Sequence, residues 1–145
     1  MGLKEQRERI YYDMRGRVAP SSPKYARAIL EKDRINGIIK SELREAGLRG
    51  KIHMKPTTID VNALTFDDVH INKERNHNVT LEEAKMFVRK ARFSETVWQG
   101  RFERYYSKYG VAYVNANNMQ IRTAFKGEEI KGVTKKALEV IRKYE

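Results

Sequence analysis

The clearest pattern in the chain is an alternation of apolar and polar positions near its C-terminus. Residues 96–107 are rich in β-forming side chains, and Tyr109-Gly110 follows them as a turn. Residues 111–115 and 119–125 continue the period of two, with a second turn at Asn117-Asn118. The pattern predicts a three-stranded antiparallel meander with one buried face.

A helical period precedes the meander. Ser22 followed by Pro23 is a good helix start, because serine caps the first turn and proline suits its first position. The predicted helix runs to about Ala46, and Gly47 is a plausible stop. Its apolar positions are Ala26, Ile29, Leu30, Ile35, Ile38, Ile39, Leu43 and Ala46.

Two further helices are predicted. Thr80 and Glu83 have the spacing of a capping box, in which each side chain bonds to the other residue's backbone N–H. The helix they begin ends near Arg92, and residues 134–143 form the last helix. One face of the capped helix carries Ala84, Phe87, Val88 and Ala91.

These elements predict an α+β fold, with an N-terminal helix or helices followed by a small antiparallel meander with packed helices. Residues 1–20 read as a basic arm, residues 21–55 as a helical segment and loop, and residues 56–145 as an α+β domain. The loop is expected over residues 48–58, and a short strand over residues 57–61.

The net charge of the chain indicates which kinds of binding partner to expect. The 145 residues carry a net charge of +11. A surface this basic attracts nucleic acid through the release of counterions, although it also fits an ordinary solvated surface. A membrane partner is not expected, because no stretch approaches about 20 apolar residues and no basic segment has a clean apolar stripe. The absence of cysteine excludes a disulfide scaffold, a zinc ribbon and a thiol nucleophile.

The histidines do not form a metal motif. His53, His70 and His77 lack the number and spacing of ligands that zinc needs, and no HExxH, Gly-rich phosphate loop or GxSxG is present. Asp67-Asp68 is more typical of a turn or a cap than of a cation site. No cofactor or metal is expected.

The remaining polar side chains suit RNA cleavage without a metal. That reaction needs a base for the 2′-hydroxyl, an acid for the leaving 5′-oxygen, and cations for the charge on the phosphorane. Histidine serves as base or acid, arginine matches phosphate oxygens, and tyrosine donates to phosphate or stacks on a base. The candidates are His70, Arg75, His77, Arg101, Glu103, Arg104, Tyr106, Ser107, Tyr113, Arg122 and Thr123.

Each candidate also has a purely structural interpretation. His70 can cap a helix, and His77 can serve as a turn residue. Tyr106 and Tyr113 can simply pack within the sheet. Glu103 opposite an arginine can be an ordinary cross-strand pair, and Thr123 is expected on the covered face with Ile121. Arg122 is the hardest to explain in this way, because its guanidinium interrupts an apolar strand and must find an anion or water.

Residues 70–130 resemble the C-terminal toxin-like domains of phage minor head (Mu F-like) proteins, which belong to the Barnase–EndoU–colicin E5/D–RelE superfamily of ribonucleases. The order of motifs is also similar to BrnT-type toxins. The matching pieces are Asn76-His77-Asn78-Val79, Glu82-Glu83-Ala84 and Ile121-Arg122-Thr123-Ala124. The chain departs from the BrnT pattern where Asn78 replaces glycine and where Thr-Ala-Phe replaces Ser-Ala-Arg.

The resemblance implies a RelE/barnase-like fold and six catalytic candidates, which are His70, His77, Arg104, Tyr106, Arg122 and Thr123. Arg75, Arg101 and Tyr113 are then candidates for binding RNA.

The leading hypothesis is a metal-independent endoribonuclease of phage or toxin type that acts on tRNA or mRNA. An acidic immunity protein or antitoxin and phage head proteins are the further partners to expect. The protein would be cytoplasmic, virion-associated or delivered to a target cell. The alternative is a non-catalytic virion protein that binds nucleic acid. ADP-ribosyl transfer is a weaker third reading, because no R…SxS…ExE pattern is present.

Overall fold

The computed structural model describes residues 23–127 and 131–144, and it confirms the α+β class. The basic arm expected at residues 1–20 lies outside the described residues. None of the helices in the described ranges is both long and apolar enough to cross a membrane. The helices are α1 (Pro23–Ala46), α2 (Leu81–Arg89) and α3 (Gly132–Lys143), and the strands are β1 (Lys51–His53), β2 (Thr65–Phe66), β3 (Phe93–Val97), β4 (Phe102–Tyr106), β5 (Gly110–Asn115) and β6 (Gln120–Lys126).

The described strands form one six-stranded sheet in the order β1-β3-β4-β5-β6-β2. Neighbouring strands are antiparallel except β2 and β6, which are parallel. The expected three-stranded meander was therefore too small. Residues 96–107 are not one strand, because the chain reverses at Trp98–Arg101 and makes a hairpin of β3 and β4.

Two short expectations were also wrong. Residues 48–58 are not all loop, since β1 pairs with β3 there and extends the sheet. Residues 57–61 form no strand. A short 3₁₀ turn, Val61–Ala63, follows Asp60, whose carboxylate accepts the Asn62 backbone N–H and caps the turn.

A bulge in β6 changes which residues share a face. Val114 pairs with Ile121 but Tyr113 pairs with Thr123, so Arg122 is an extra residue between them. Ile121 and Thr123 therefore point to opposite faces. Thr123 was expected on the covered face with Ile121, and this is wrong because the bulge turns it to the other side.

One face of the sheet is filled by α2 and the segment before it. Thr80 accepts the Glu83 N–H at 3.1 Å, and the Glu83 carboxylate accepts the Thr80 N–H at 3.1 Å, so the expected capping box is confirmed. A π-helical turn (Val69–Glu74) precedes the cap. The buried residues of this core are Leu64, Ile71, Val79, Ala84, Phe87, Val88, Tyr105, Ala112, Val114, Ile121 and Ala124.

Contacts divide the chain into two units, residues 1–38 and residues 39–145. The described part of the first unit is helical, and Arg34 and Glu31 form an exposed ion pair within it. In the second unit α1 ends where Gly47, with φ +113°, and Leu48 donate to the carbonyls of Arg44 and Leu43. Besides the core beneath α2, this second unit contains another group of buried apolar residues, which are Ile39, Leu43, Leu48, Ile52, Phe93, Tyr106, Val111, Ala137, Leu138 and Ile141.

The capping box predicts a measurable loss of stability on substitution. Thr80→Ala removes the side-chain oxygen that accepts the Glu83 N–H, so the free energy of unfolding should fall by about 1 kcal/mol in urea. Thr58→Ala, at an exposed loop position, is the matched control and should change it by less than about 0.5 kcal/mol. Equal effects from the two substitutions would contradict the capping role.

Candidate nucleic-acid interface

Four polar side chains form a row across the sheet on the face opposite α2. Glu95 on β3 pairs with Arg104 on β4, Arg104 with Tyr113 on β5, and Tyr113 with Thr123 on β6. Neighbouring strands lie about 4.8 Å apart, so the four side chains are consecutive neighbours. We call this side of the sheet, which carries the row, the Arg104 face.

Arg104 is held between two aromatic rings. Its guanidinium carbon lies 4.7 Å from the centre of the Tyr113 ring and 5.0 Å from that of the Trp98 ring. An arginine over aromatic faces is stabilised electrostatically and keeps its planar fork in one orientation. The side chain is 23% exposed, and it also faces the Glu95 carboxylate at 3.5 Å.

Glu95 is the charged group at the centre of this arrangement. Its side chain is 2% exposed, and its carboxylate accepts the Gly50 N–H at 2.7 Å and the Tyr106 hydroxyl at 3.0 Å in addition to Arg104. A buried carboxylate needs such donors and a cation to stay ionised. Tyr106 is itself buried and stacks on Phe93, with ring centres 4.6 Å apart.

The burial of Tyr106 bears on its predicted catalytic role. Burial first, and then the neighbouring Glu95 carboxylate, raise the pKa of Tyr106 well above its ordinary value. Its hydroxyl donates to Glu95 and lies inside the protein. This placement suits a group that positions Glu95 rather than one that reaches a substrate.

Trp98 is presented by an unusual turn. Trp98, Gln99 and Gly100 have φ values of 51°, 56° and 86°, a left-handed conformation that is costly for side chains other than glycine. The indole packs edge-on against two rings, with ring centres 5.0 Å apart for Phe102 and 6.4 Å apart for Tyr113. Trp98 is nevertheless 53% exposed. The turn therefore places a large aromatic ring at the surface in a backbone conformation that is energetically unfavourable.

His77 lies at the other end of the same aromatic run. The centre of its ring lies 5.4 Å from the centre of the Phe125 ring, and the centres of the Phe125 and Tyr113 rings are 5.6 Å apart. Phe125 is two residues after Thr123 on β6, so both belong to the Arg104 face. A continuous run of contacts thus joins His77, Phe125, Tyr113, Arg104 and Trp98.

A second polar cluster adjoins the bulge in β6. The Asp67 carboxylate accepts the His70 backbone N–H at 3.2 Å through one oxygen and pairs with the Arg122 guanidinium through the other. The His70 N–H first, and then Arg122, lower the pKa of Asp67. Arg122 directly precedes Thr123, so this Asp67 cluster lies beside the end of the row.

Glu74, four residues after His70, orients the His70 ring. The ring's Nδ1 is 3.1 Å from a Glu74 carboxylate oxygen, and the His70 side chain is 15% exposed. An ionised carboxylate only accepts hydrogen bonds, so Nδ1 carries the proton. Nε2 is then the nitrogen that can accept a proton from another group.

The other predicted residues are less closely grouped. Arg75 is exposed at the end of the π-helical turn, and Arg101 is exposed in the β3–β4 turn near Trp98. His53 is not part of the Arg104 face, because its ring nitrogen is 2.9 Å from the hydroxyl of Thr96, whose partner Glu103 faces the α2 side.

Several residues of these clusters were not among the predicted site residues. Glu95 and Trp98 were not considered as members of a site, Asp67 was interpreted as a turn or cap, and Glu74 was not considered. A signal for Glu95 was present, since a hairpin turn at Gly100 would place it opposite Arg104. No comparable sequence signal marks Glu74.

Comparisons with known proteins add no family assignment: no family model, curated protein or solved structure matches the chain. Within the described parts of the chain, no three His, Cys, Asp or Glu side chains are grouped in a way that could hold a metal ion.

The Glu95–Arg104 pair predicts strong coupling in stability. Arg104→Met leaves a buried carboxylate without its cation, so the free energy of unfolding should fall by about 3 kcal/mol. Glu95→Gln together with Arg104→Met should cost less than the two single changes added, as measured by urea unfolding in a double-mutant cycle. Arg101→Met, at an exposed arginine three residues earlier, is the control. Additive losses would contradict the coupling.

Asp67 predicts a dependence of stability on acid. Its pKa is lower in the folded chain than the ordinary value of 3.8, so the ionised carboxylate stabilises the fold above that pH, and the stabilisation is lost as the pH falls through the lowered value. The difference in free energy of unfolding between wild type and Asp67→Asn should therefore shrink below about pH 3.8. A difference that stays constant into acid would contradict the assignment.

Proposed function

We propose that this protein binds RNA across the Arg104 face and cleaves it without a metal ion. The observation that carries the proposal is the bulge in β6. It adds Arg122 to the strand beside Thr123, where the guanidinium is linked through Asp67 to His70. Bulges commonly re-aim a side chain beside an active site.

The aromatic run supports RNA as the ligand. Unpaired bases stack on exposed rings and on arginine planes, and the chain's net charge of +11 favours a polyanion. Tyr113 and Trp98 flank the Arg104 guanidinium, so stacking surface and positive charge occur together. Because Arg104 is partly buried and held by Glu95, we assign it to orienting RNA.

The Asp67 cluster and His77 are the proposed groups for cleavage. His70 is the general base in this proposal, because Glu74 holds its Nδ1 proton and leaves Nε2 to accept the proton of the 2′-hydroxyl. Arg122 is 47% exposed and would exchange Asp67 for a phosphate oxygen as charge develops there. His77 is the proposed general acid. Its ring contacts the ring of Phe125, which lies on β6 together with Arg122.

The reaction balances with these groups. The 2′-oxygen bonds to phosphorus and passes its proton to His70, while the bond from phosphorus to the 5′-oxygen breaks and that oxygen takes a proton from His77. The products are a 2′,3′-cyclic phosphate and a 5′-hydroxyl. Water is not consumed in this step, and each histidine ends in the protonation state in which the other began.

The first test is cleavage of RNA by the pure full-length chain in EDTA. We expect fragments ending in 2′,3′-cyclic phosphate and no cleavage at a 2′-deoxy position. His70→Ala and His77→Ala should each lower the rate by about 100-fold or more. The matched control is His53→Ala, which removes the third histidine, on β1 at the opposite edge of the sheet from β2 and Asp67, and should cleave like wild type. Intact RNA at high protein concentration would overturn the proposal.

A second candidate is nucleic-acid binding without turnover. It is favoured by the fact that both arginines already face carboxylates, Arg104 facing Glu95 and Arg122 facing Asp67. This candidate predicts saturable binding without cleavage products. The binding should weaken steeply with salt, so that a plot of log K against log salt concentration has a slope of about minus several units. The same EDTA experiment separates the two, because only the first candidate yields cyclic phosphate ends.

A further inference from the structure

A cavity lies beside Trp98 and has no place in the cleavage chemistry. Its volume is about 670 Å³, and it is bounded by residues 47–51, residues 95–100, Arg104 and Val133. Pockets that hold small ligands usually measure about 300–1,000 Å³, so one nucleotide is within range.

The walls of this cavity combine a flat ring with cations. Among the lining residues, Trp98 and Val133 are apolar and Arg49 is an exposed cation. Lys51 also borders the cavity, but it pairs with Thr96 in the sheet, so its side chain lies on the α2 side together with His53. Glu95 also borders the cavity, but its carboxylate already accepts hydrogen bonds from its neighbours. An aromatic surface facing basic side chains is the chemistry that takes a base and its phosphate.

Gly50 allows this wall to approach the sheet. A Cβ at Gly50 would lie 2.4 Å from the Thr96 carbonyl oxygen and 2.8 Å from a carboxylate oxygen of Glu95. Only glycine fits at such distances. The loop that carries Arg49 and Gly50 is therefore fixed against β3, which makes the cavity a formed feature of the fold.

Trp98 also borders a second, shallower concavity of about 470 Å³, lined with Gln99 and Arg101. Trp98 thus borders two hollows, and each hollow is also lined by an arginine. A large aromatic residue held at positive φ and half exposed is a strained arrangement, and strain of this kind concentrates at ligand-binding positions.

We propose that Trp98 and its cavity form a subsite for one unpaired nucleotide, with the base on the indole and the phosphate near Arg49. The subsite rests on the proposed function and deepens it, because it makes single-stranded RNA the substrate. A paired base inside a duplex has no free face to offer the indole.

Trp98 is the only tryptophan in the chain, so its fluorescence reports this subsite alone. The probe is a single-stranded 2′-O-methyl oligonucleotide, which lacks the attacking hydroxyl and cannot be cleaved. We expect saturable quenching by the single strand and little quenching by its duplex at equal nucleotide concentration. Equal quenching by the duplex, or no quenching by either, would overturn the subsite.

Variants test the indole directly. Trp98→Ala should weaken binding of a labelled single strand by roughly tenfold or more, measured by fluorescence anisotropy, while Trp98→Phe should keep most of the affinity. Tyr109→Ala is the matched control, because Tyr109 is exposed to a similar degree, 46% against 53%. Wild-type affinity in folded Trp98→Ala would contradict the proposal.

The two proposals fail in different ways. Binding of the 2′-O-methyl strand at Trp98 together with intact RNA in EDTA would retain the subsite and reject the ribonuclease. Cleavage of RNA in EDTA with an unchanged KM in Trp98→Ala would retain the ribonuclease and reject the subsite.

Discussion

The buried charge of Glu95 constrains much of what surrounds it. A carboxylate in the interior is stable only when donors and a cation reach it, and here the donors come from the Gly50 backbone, the Tyr106 hydroxyl and the Arg104 guanidinium. Each donor fixes another feature. Gly50 holds the loop after α1 against the sheet, and Arg104 brings a cation under the Trp98 ring.

The two arginines therefore differ in how freely they can change partner. Arg104 is 23% exposed and packed between rings, so exchanging its carboxylate partner would disturb the sheet. Arg122 is 47% exposed at a bulge and pairs with Asp67 at the edge of the sheet. The first is suited to a fixed binding surface. The second can change partner at small cost, which is what a group that follows developing charge must do.

Much of the fold follows from local sequence, whereas the site depends on features that the alternation of apolar and polar positions does not encode. The capping box at Thr80 and Glu83 and the end of α1 at Gly47 were readable, because each is a local hydrogen-bond requirement. The split of residues 96–107 was missed because non-glycine residues take positive φ there. The bulge was missed because a strict period of two assigns Thr123 to the face of Ile121.

These misses coincide with the places where the candidate site is built. A local rule is broken at Trp98, where an aromatic residue adopts a left-handed conformation, and again at Arg122, where an extra residue interrupts the ladder. Regular alternation would have packed both side chains into an ordinary sheet surface. Breaking it costs conformational energy, and the result is an exposed ring beside one arginine and an exposed guanidinium paired with Asp67, whose other oxygen accepts the His70 N–H. That coincidence is the physical reason to look for function on the Arg104 face and at the bulge that adjoins it.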